Sequence, residues 1–161
     1  MNRAFTNIFL GLILCLTISF TGCGNEFAKQ EYNDDEKIVQ VADRYAKSNS
    51  VFNQIEGGYS LTASQFDGRE TLWEKTLEEN AEIEIQIDLN ITSGNTKVVF
   101  IDNNNDITVL IEHLQNNFNE LTTTKIVSLT NGLNRLKIVG YDCENIDLKL
   151  FFDEPKPALK N

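Results

Sequence analysis

The chain contains few of the residues from which metal centres and nucleophilic triads are built. Its 161 residues include one histidine, three cysteines and one tryptophan. Cations are also scarce, because 14 lysines and arginines stand against 24 acidic residues and leave a formal net charge of −10. Proteins that bind nucleic acid need clustered cations to replace counterions, so this class is excluded, together with a polybasic membrane-binding patch.

Catalytic and cofactor motifs are missing as well. The sequence has no G-x-S-x-G, H-E-x-x-H or C-x-x-C motif and no glycine-rich phosphate loop. A serine–histidine–acid arrangement would have to use His113, which lies in the least regular part of the chain. We therefore predict that the protein is not an enzyme and that it needs no cofactor or metal.

A short apolar stretch near the N-terminus is typical of a secretory signal. Residues 8–20 are nearly all apolar and follow the cation Arg3. A membrane-spanning helix needs about 20 apolar residues, so this stretch is short for a permanent anchor. A basic group before an apolar run of this length is the layout of a signal peptide.

The residues after this stretch resemble the lipobox of bacterial lipoproteins. Thr21, Gly22 and Cys23 match that motif, whereas Phe20 stands where leucine is usual. The resemblance implies that residues 1–22 are a removed signal peptide and that the Cys23 thiol carries a diacylglyceryl group. Two acyl chains suffice for a stable anchor, since each buried methylene contributes about 0.8 kcal/mol. The implied location is the extracytoplasmic face of the cell membrane, with membrane lipid as a partner through Cys23.

The cysteines leave no pair for a disulfide in the mature protein. Cys15 lies in the segment to be removed, Cys23 would carry lipid, and Cys143 is then the lone thiol. A reactive cysteine needs a nearby base or cation, and no spacing links Cys143 to His113. We interpret Cys143 as a buried structural residue.

Residues 23–56 are predicted to form an acidic tether. Its first part is too polar to bury an apolar core. Within it, Ile38, Val41, Ala42 and Tyr45 recur at the spacing of one helix face, which predicts a short helix at about 35–47. As a flexible coil, the tether would hold the domain about 30 Å from the membrane.

The period of the hydrophobic pattern changes from residue 57 onward. Residues 83–91 alternate isoleucine or leucine with polar side chains, as expected of a strand with one face on a core. Residues 97–101 begin with Lys97 and continue as an unbroken apolar run over 98–101, which predicts a central strand covered on both faces. Residues 107–111 would return from it as a hairpin after the turn Asp102–Asp106.

Further short strands precede and follow this hairpin. Residues 59–63 and 71–73 would join at Asp67-Gly68, and residues 126–129 would pair with 133–139 across the tight-turn signal Asn131-Gly132. A turn at 141–145 would lead to a last strand at 146–152. About eight strands without crossover helices predict a mainly β, antiparallel sandwich or barrel over residues 57–153, with a tail at 154–161. Connections longer than a hairpin favour a sandwich of jelly-roll type.

In its arrangement of signal, tether and domain, the chain resembles the small extracytoplasmic lipoproteins of Gram-positive bacteria. These proteins join a lipobox, a polar tether and one β-sandwich domain. The resemblance is carried by the lipobox, the alternating strand and turn-bounded segments such as Phe100-Ile101-Asp102. It implies an architecture and no site residues.

Two groups of residues are candidates for binding. Asp102–Asp106 has acidic or amide side chains at alternate positions, but a calcium loop would need glycine sixth and glutamate twelfth, where Ile107 and His113 stand. A hairpin turn explains these residues instead. Trp73, Tyr59 and Tyr141, with Phe66, could form an aromatic platform for a sugar or peptide, the alternative being that Trp73 packs in the core.

These observations predict a membrane-anchored, extracytoplasmic lipoprotein with a non-catalytic binding domain. One alternative is a module that recognises carbohydrate or cell-wall glycan, which an exposed aromatic patch would favour. The other is a structural protein of an envelope complex, which an uncovered edge strand or apolar patch would favour. An enzyme would require a pocket that places His113 beside an acid and a hydroxyl.

Overall fold

The computed structural model describes residues 25–115, 121–153 and 156–157. The predicted signal peptide, Cys23 and most of the predicted tail lie outside these residues. Within them, no helix is long and apolar enough to cross a bilayer. The helices and strands are α1 (Asn25–Glu31), α2 (Asp35–Ile38), β1 (Arg44–Ser48), β2 (Val51–Ile55), β3 (Gly58–Leu77), β4 (Ala81–Asn90), β5 (Ser93–Ile101), β6 (Ile107–His113), β7 (Leu121–Leu129), β8 (Gly132–Phe152) and β9 (Lys156–Pro157).

The fold is an antiparallel β-sandwich, as predicted, and two long strands run through both of its layers. β3 has 20 residues and β8 has 21, and they pair with each other along nearly their whole length. The first layer has the order β2–β3–β8–β4–β7 and uses the early part of β3 and the late part of β8. The second layer has the order β1–β3–β8–β5–β6 and uses the late part of β3 and the early part of β8.

Both long strands bend where they pass between the layers. The β3–β8 register shifts between Phe66 and Gly68. Gly68 has φ +112°, and a Cβ there would lie 2.1 Å from the carbonyl oxygen of Arg44, so only glycine fits. On β8, Asp142 and Asn145 also have positive φ. The predicted turns at Asp67-Gly68 and at 141–145 are therefore bends within continuous strands, because the ladder closes again on either side.

The space between the layers is filled by the alternating apolar residues of the strands. Ile83, Ile85 and Ile87 of β4 point inward and are buried, as the alternation predicts. β5 is buried on both faces, since Val99 and Ile101 pack outward against Tyr32 and Ile38 of the N-terminal segment. Fully burying one such side chain stabilises the fold by roughly 1.5–3 kcal/mol.

The predicted helix at 35–47 is wrong beyond Ile38. Residues 39–43 are irregular, and residues 44–48 form β1. The helical pattern required Val41 to face the core, but Val41 is 65% exposed. The backbone of residues 39–43 is held by the second layer instead, because buried cations there donate to its carbonyl groups. The bonds are Arg135 to Val39, Lys137 to Gln40 and Arg69 to Ala42.

Strands β1 and β2 also lie within the stretch that the sequence assigned to a tether. They pair with β3 in one common register, from Arg44 opposite Arg69 to Ile55 opposite Gly58. The interruption at Asn49, where φ is +45°, separates β1, which lies in the second layer, from β2, which lies in the first. Residues 25–56 therefore belong to the folded domain as covering segment and edge strands.

The expected hairpin across Asn131-Gly132 is not formed. β7 pairs with β4 in the first layer, whereas β8 starts in the second layer beside β3 and β5. The chain crosses between layers here, and the crossing is fixed by side-chain amides. Asn80 Oδ1 accepts from the backbone N–H of Asn131, and the side chain of Asn134 bonds both the N–H and the carbonyl of Thr130.

Candidate functional site

The clearest candidate site is an aromatic groove formed where the two layers meet at one end of the sandwich. Tyr59 and Trp73 lie on β3, each seven residues from Phe66, and the bend places one in each layer. The groove has a volume of about 230 Å³. Its lining residues are Gln54, Ile55, Gly57, Gly58, Tyr59, Trp73, Lys75, Ile83, Phe152 and Asp153.

Four aromatic rings form a continuous row, in which Tyr59, Phe152 and Trp73 line the groove and Phe52 extends the row beyond its lining. Phe52 stacks on Tyr59, with ring centroids 5.6 Å apart and an interplanar angle of 3°. Tyr59 contacts Phe152 edge-to-face at 6.0 Å, and Phe152 stacks on Trp73 at 5.6 Å. Such ring pairs contribute roughly 0.5–1.5 kcal/mol each beyond the area they bury, so the row is held in place before any ligand arrives.

The rings are partly open to solvent. Phe52 is 42% exposed, and Tyr59, Trp73 and Phe152 are half-buried. Trp73 and Phe152 also pack against the edge of the core between the layers. The two interpretations of Trp73, core residue and platform residue, therefore describe two sides of one ring: one side packs inward and the other lines the groove.

The floor of the groove is fixed by backbone contacts. The N–H of Phe152 donates to the carbonyl of Gly57 at 2.8 Å, which ties the end of β8 to the β2–β3 turn. Gly58 faces the β8 backbone so closely that a Cβ would lie 1.7 Å from the carbonyl oxygen of Leu150. A side chain at Gly58 would therefore push β8 away and displace the Phe152 ring.

Tyr141 and Phe66 do not belong to this row. Tyr141 contacts Tyr32 edge-to-face, with ring centroids 5.1 Å apart, on the outer face of the second layer. Phe66 is fully buried at the bend of β3. The structure therefore brings together Tyr59 and Trp73 of the predicted platform and separates Tyr141 from them.

Phe52 and Phe152, the other two members of the row, carry no local sequence signal for a site. Phe52 lies in the stretch predicted to be a tether, and its polar neighbours form no strand pattern. Phe152 was expected only as the end of the last strand. The position of both rings depends on the pairing of β3 with β2 and with β8, which no local pattern reveals.

The turn Asp102–Asp106 is closed by its own side chains. Asp102 Oδ1 accepts from the N–H groups of Asn104 and Asp106 at 2.8 and 2.9 Å, and its Oδ2 accepts from the Asn104 amide. Asn105 has φ +65°, a conformation that asparagine tolerates. Within the described residues, no three metal-ligating side chains cluster here or elsewhere.

His113 and Cys143 are both buried. His113 ends β6 opposite Thr96, and neither ring nitrogen has a hydrogen-bond partner in the part of the chain that the structure describes. Cys143 Sγ donates to the carbonyl of Asn95 at 3.2 Å. Burial raises the pKa of the Cys143 thiol to about 12, so the thiolate is not formed at neutral pH. Cys143 is a buried residue of the core, as expected.

No protein-family model and no curated protein matches this chain. Among solved structures, it is similar to the CBM22-1 xylan-binding domain from Paenibacillus barcinonensis Xyn10C, with 13% identity, a TM-score of 0.40, and coverage of 73% of this chain and 86% of that one. It is also similar to a carbohydrate-binding module of Cellvibrio mixtus lichenase 5A, with 11% identity and a TM-score of 0.36. The alignment covers 74% of this chain and 93% of that module.

The chain spans a much smaller part of two enzymes with which it also aligns. It covers 27% of an exo-beta-1,3-galactanase from Phanerochaete chrysosporium, at 10% identity and a TM-score of 0.37, with 69% of this chain aligned. It covers 29% of a Podospora anserina GH26-CBM35 beta-(1,4)-mannanase, at 14% identity and a TM-score of 0.38, with 73% of this chain aligned. At this level of similarity, no ligand or activity carries over to the present chain.

Proposed function

We propose that the protein is a membrane-anchored lipoprotein that binds a glycan chain in the aromatic groove. The observation that carries this proposal is the row of four aromatic rings, three of which (Tyr59, Phe152 and Trp73) line an open groove while Phe52 extends the row. A pyranose ring presents an apolar C–H face and a rim of hydroxyl groups. Aromatic faces bury the former, and nearby polar side chains bond the latter.

The polar residues of the groove suit hydroxyl groups. Gln54 can both donate and accept through its amide, and Lys75 can donate from its ammonium group. The volume of about 230 Å³ is small for a buried ligand, so the groove fits a short stretch of a chain whose remainder stays in solvent. The net charge of −10 disfavours a polyanionic polymer, which leaves an uncharged glycan as the favoured ligand.

The test is a binding assay of the full chain in detergent against purified cell wall and a panel of neutral oligosaccharides. We expect Trp73→Ala to weaken binding about ten-fold, which corresponds to the loss of about 1.4 kcal/mol of stacking energy. Tyr45→Ala is the matched control, because Tyr45 is an exposed aromatic residue on β1 outside the groove. Circular dichroism would establish that both variants are folded.

Two results would contradict glycan binding at this groove. One is a folded wild-type chain that retains none of the panel. The other is equal loss of binding in the Trp73 and Tyr45 variants, which would place the ligand elsewhere.

The anchor part of the proposal is supported by Thr21, Gly22 and Cys23 and concerns residues outside those described. We expect Cys23→Ala to abolish incorporation of labelled palmitate and to leave the protein unprocessed or released from the membrane fraction. Cys15→Ala is the matched control, because Cys15 lies in the segment to be removed and its loss should leave labelling intact. Continued labelling of the Cys23 variant would overturn the lipoprotein assignment.

A further inference from the structure

The N-terminal helix lies at the end of the sandwich where the two long strands bend. We call this the bend end and define it by residues 66–68 of β3 and 141–145 of β8. Glu31, the last residue of α1, bonds Arg44 at 2.8 Å and Arg69 at 3.3 Å. Arg69 directly follows the bend of β3, and Arg44 lies opposite Arg69 in the β1–β3 ladder. These bonds place α1 at the bend end.

Close packing holds α1 in this position. Ala28 is 1% exposed, and the guanidinium group of Arg44 lies 4.2 Å from the ring centroid of Phe27. Directly after α1, Tyr32 is 4% exposed and contacts the Tyr141 ring edge-to-face. Because these contacts bury apolar area on the sandwich, α1 and the sandwich move as one body.

The lipid of the proposed anchor would therefore be attached at the bend end. Cys23 precedes Asn25, the first residue of α1, by two positions. Two residues of extended chain span at most about 7 Å. Since the acyl chains must lie in the bilayer, the bend end would stay close to the lipid headgroups.

The aromatic groove lies at the opposite end of the sandwich. Tyr59 is seven residues before Phe66, and Trp73 is seven residues after it. Phe152 is likewise seven residues after Asn145. A strand rises about 3.3 Å per residue, so the groove is about 20 Å from the bends. The groove joins rings from both layers, so both layers extend from the bends toward this end.

We propose that the bend end faces the lipid headgroups and that the groove takes a polymeric glycan and not the sugar of a glycolipid in the same membrane. This inference rests on the proposed anchor and on the proposed glycan binding. Glycolipid sugars begin at the headgroup layer, well below the groove, whereas a polymer outside the membrane reaches the groove directly. Asp142 and Glu144 are exposed acids at the bend end, and because burial of a charge is costly, they keep the domain from sinking into lipid.

The first test measures which end of the domain lies near lipid. The full lipidated chain is reconstituted in phosphatidylcholine vesicles that contain a phosphatidylcholine with a nitroxide quencher on its headgroup. Trp73 is the only tryptophan of the chain and reports on the groove end. We expect Trp73 to keep nearly all of its fluorescence.

A matched pair of variants compares the two ends in the Trp73→Phe background. Tyr45→Trp reports on the bend end, because Tyr45 lies opposite Gly68 and is 44% exposed. Glu79→Trp reports on the groove end, because Glu79 is an exposed residue of the loop that follows β3. We expect the Tyr45→Trp reporter to lose most of its fluorescence and the Glu79→Trp reporter to lose little. Equal quenching of the two reporters would overturn the proposal, because the domain would then lie on its side.

The second test measures the class of ligand. A soluble neutral oligosaccharide that the groove binds is titrated onto the protein in dilute vesicles, with and without a glycolipid that carries the same sugar. We expect the glycolipid to leave the Kd unchanged, because its sugar does not reach the groove. The same sugar released from its lipid is the positive control and should compete. A Kd that rises several-fold with the glycolipid would contradict the assignment to a polymeric glycan.

The outcomes separate this inference from the proposals on which it rests. A chain that washes off the vesicles would remove the anchor and the orientation together and leave glycan binding untouched. A membrane-bound chain with equal quenching at both ends would remove the orientation alone. A groove that binds no oligosaccharide would remove the ligand class, and the quenching result would still decide the orientation.

Discussion

At the scale of single residues, the least expected feature is a set of buried cations on the outer face of the second layer. Arg69, Arg135 and Lys137 are at most 3% exposed, although the sequence pattern marked none of them. Lys137 Nζ donates to the carbonyl of Gln40 at 2.7 Å and to Asp43 Oδ1 at 2.8 Å. Because a buried charge without partners is costly, these contacts fix the irregular segment 39–43 on the layer.

Asp43 makes this contact dependent on pH. Burial alone would raise the pKa of Asp43, but hydrogen bonds from Lys137 and Thr71 outweigh burial and hold the pKa below its usual value. Stability from Asp43 is therefore present above its unfolded pKa and is lost as pH falls through the lower folded pKa. We expect Asp43→Asn to lower the free energy of unfolding by about 1–2 kcal/mol at pH 7 in urea denaturation.

The same prediction specifies what happens in acid. The difference between wild type and Asp43→Asn should shrink below about pH 4, near the ordinary pKa of aspartate, and vanish when Asp43 is protonated in the folded state. Glu82→Gln is the control, because Glu82 is an exposed acid on β4. A pH-independent difference between wild type and Asp43→Asn would show that the effect is not electrostatic.

At the scale of the elements, the sequence predicts strands well where one local pattern is strong. The alternation of β4 and the continuous apolar run of β5 are each explained by the layer that they contact, and both predictions are confirmed. The same reasoning cannot distinguish a turn from a bend at Gly68, because both need a residue with positive φ. It also missed β1 and β2, whose exposed side chains show no alternation.

Pairing between strands is the part that local patterns leave open. Asn131-Gly132 has the composition of a hairpin turn, yet the chain crosses between the layers there. The side chains of Asn80 and Asn134 fix this crossing by bonding the backbone of Thr130 and Asn131. The candidate site shows the same limit. Tyr59 and Trp73 could be selected by residue type, but only the fold of β3 brings them to one groove and leaves Tyr141 on another face.

At the scale of the whole molecule, the N-terminal segment changes how the domain would stand on a membrane. A flexible tether over residues 23–56 would have allowed a separation of about 30 Å. Instead, α1 starts at Asn25, and Tyr32 and Ile38 pack on the outer face of the second layer. If Cys23 carries the proposed lipid, Gly24 alone separates it from α1, and the sandwich lies next to the lipid headgroups.

Limited proteolysis of the protein in membranes, to which the proposed lipid would anchor it, distinguishes these two arrangements. Trypsin needs a locally unfolded backbone, and a tether would be cut within minutes after Lys37, Arg44 or Lys47, which would release the domain. In the structure, Arg44 bonds Glu31, Lys47 bonds Glu70, and the backbone of both pairs with β3. We therefore expect slow cleavage at these sites in wild type and faster cleavage at Lys37 and Arg44 in Asp43→Asn. Rapid release of the domain from wild type would mean that residues 25–56 act as a tether after all, and that the contacts of the buried cations do not hold them on the sandwich.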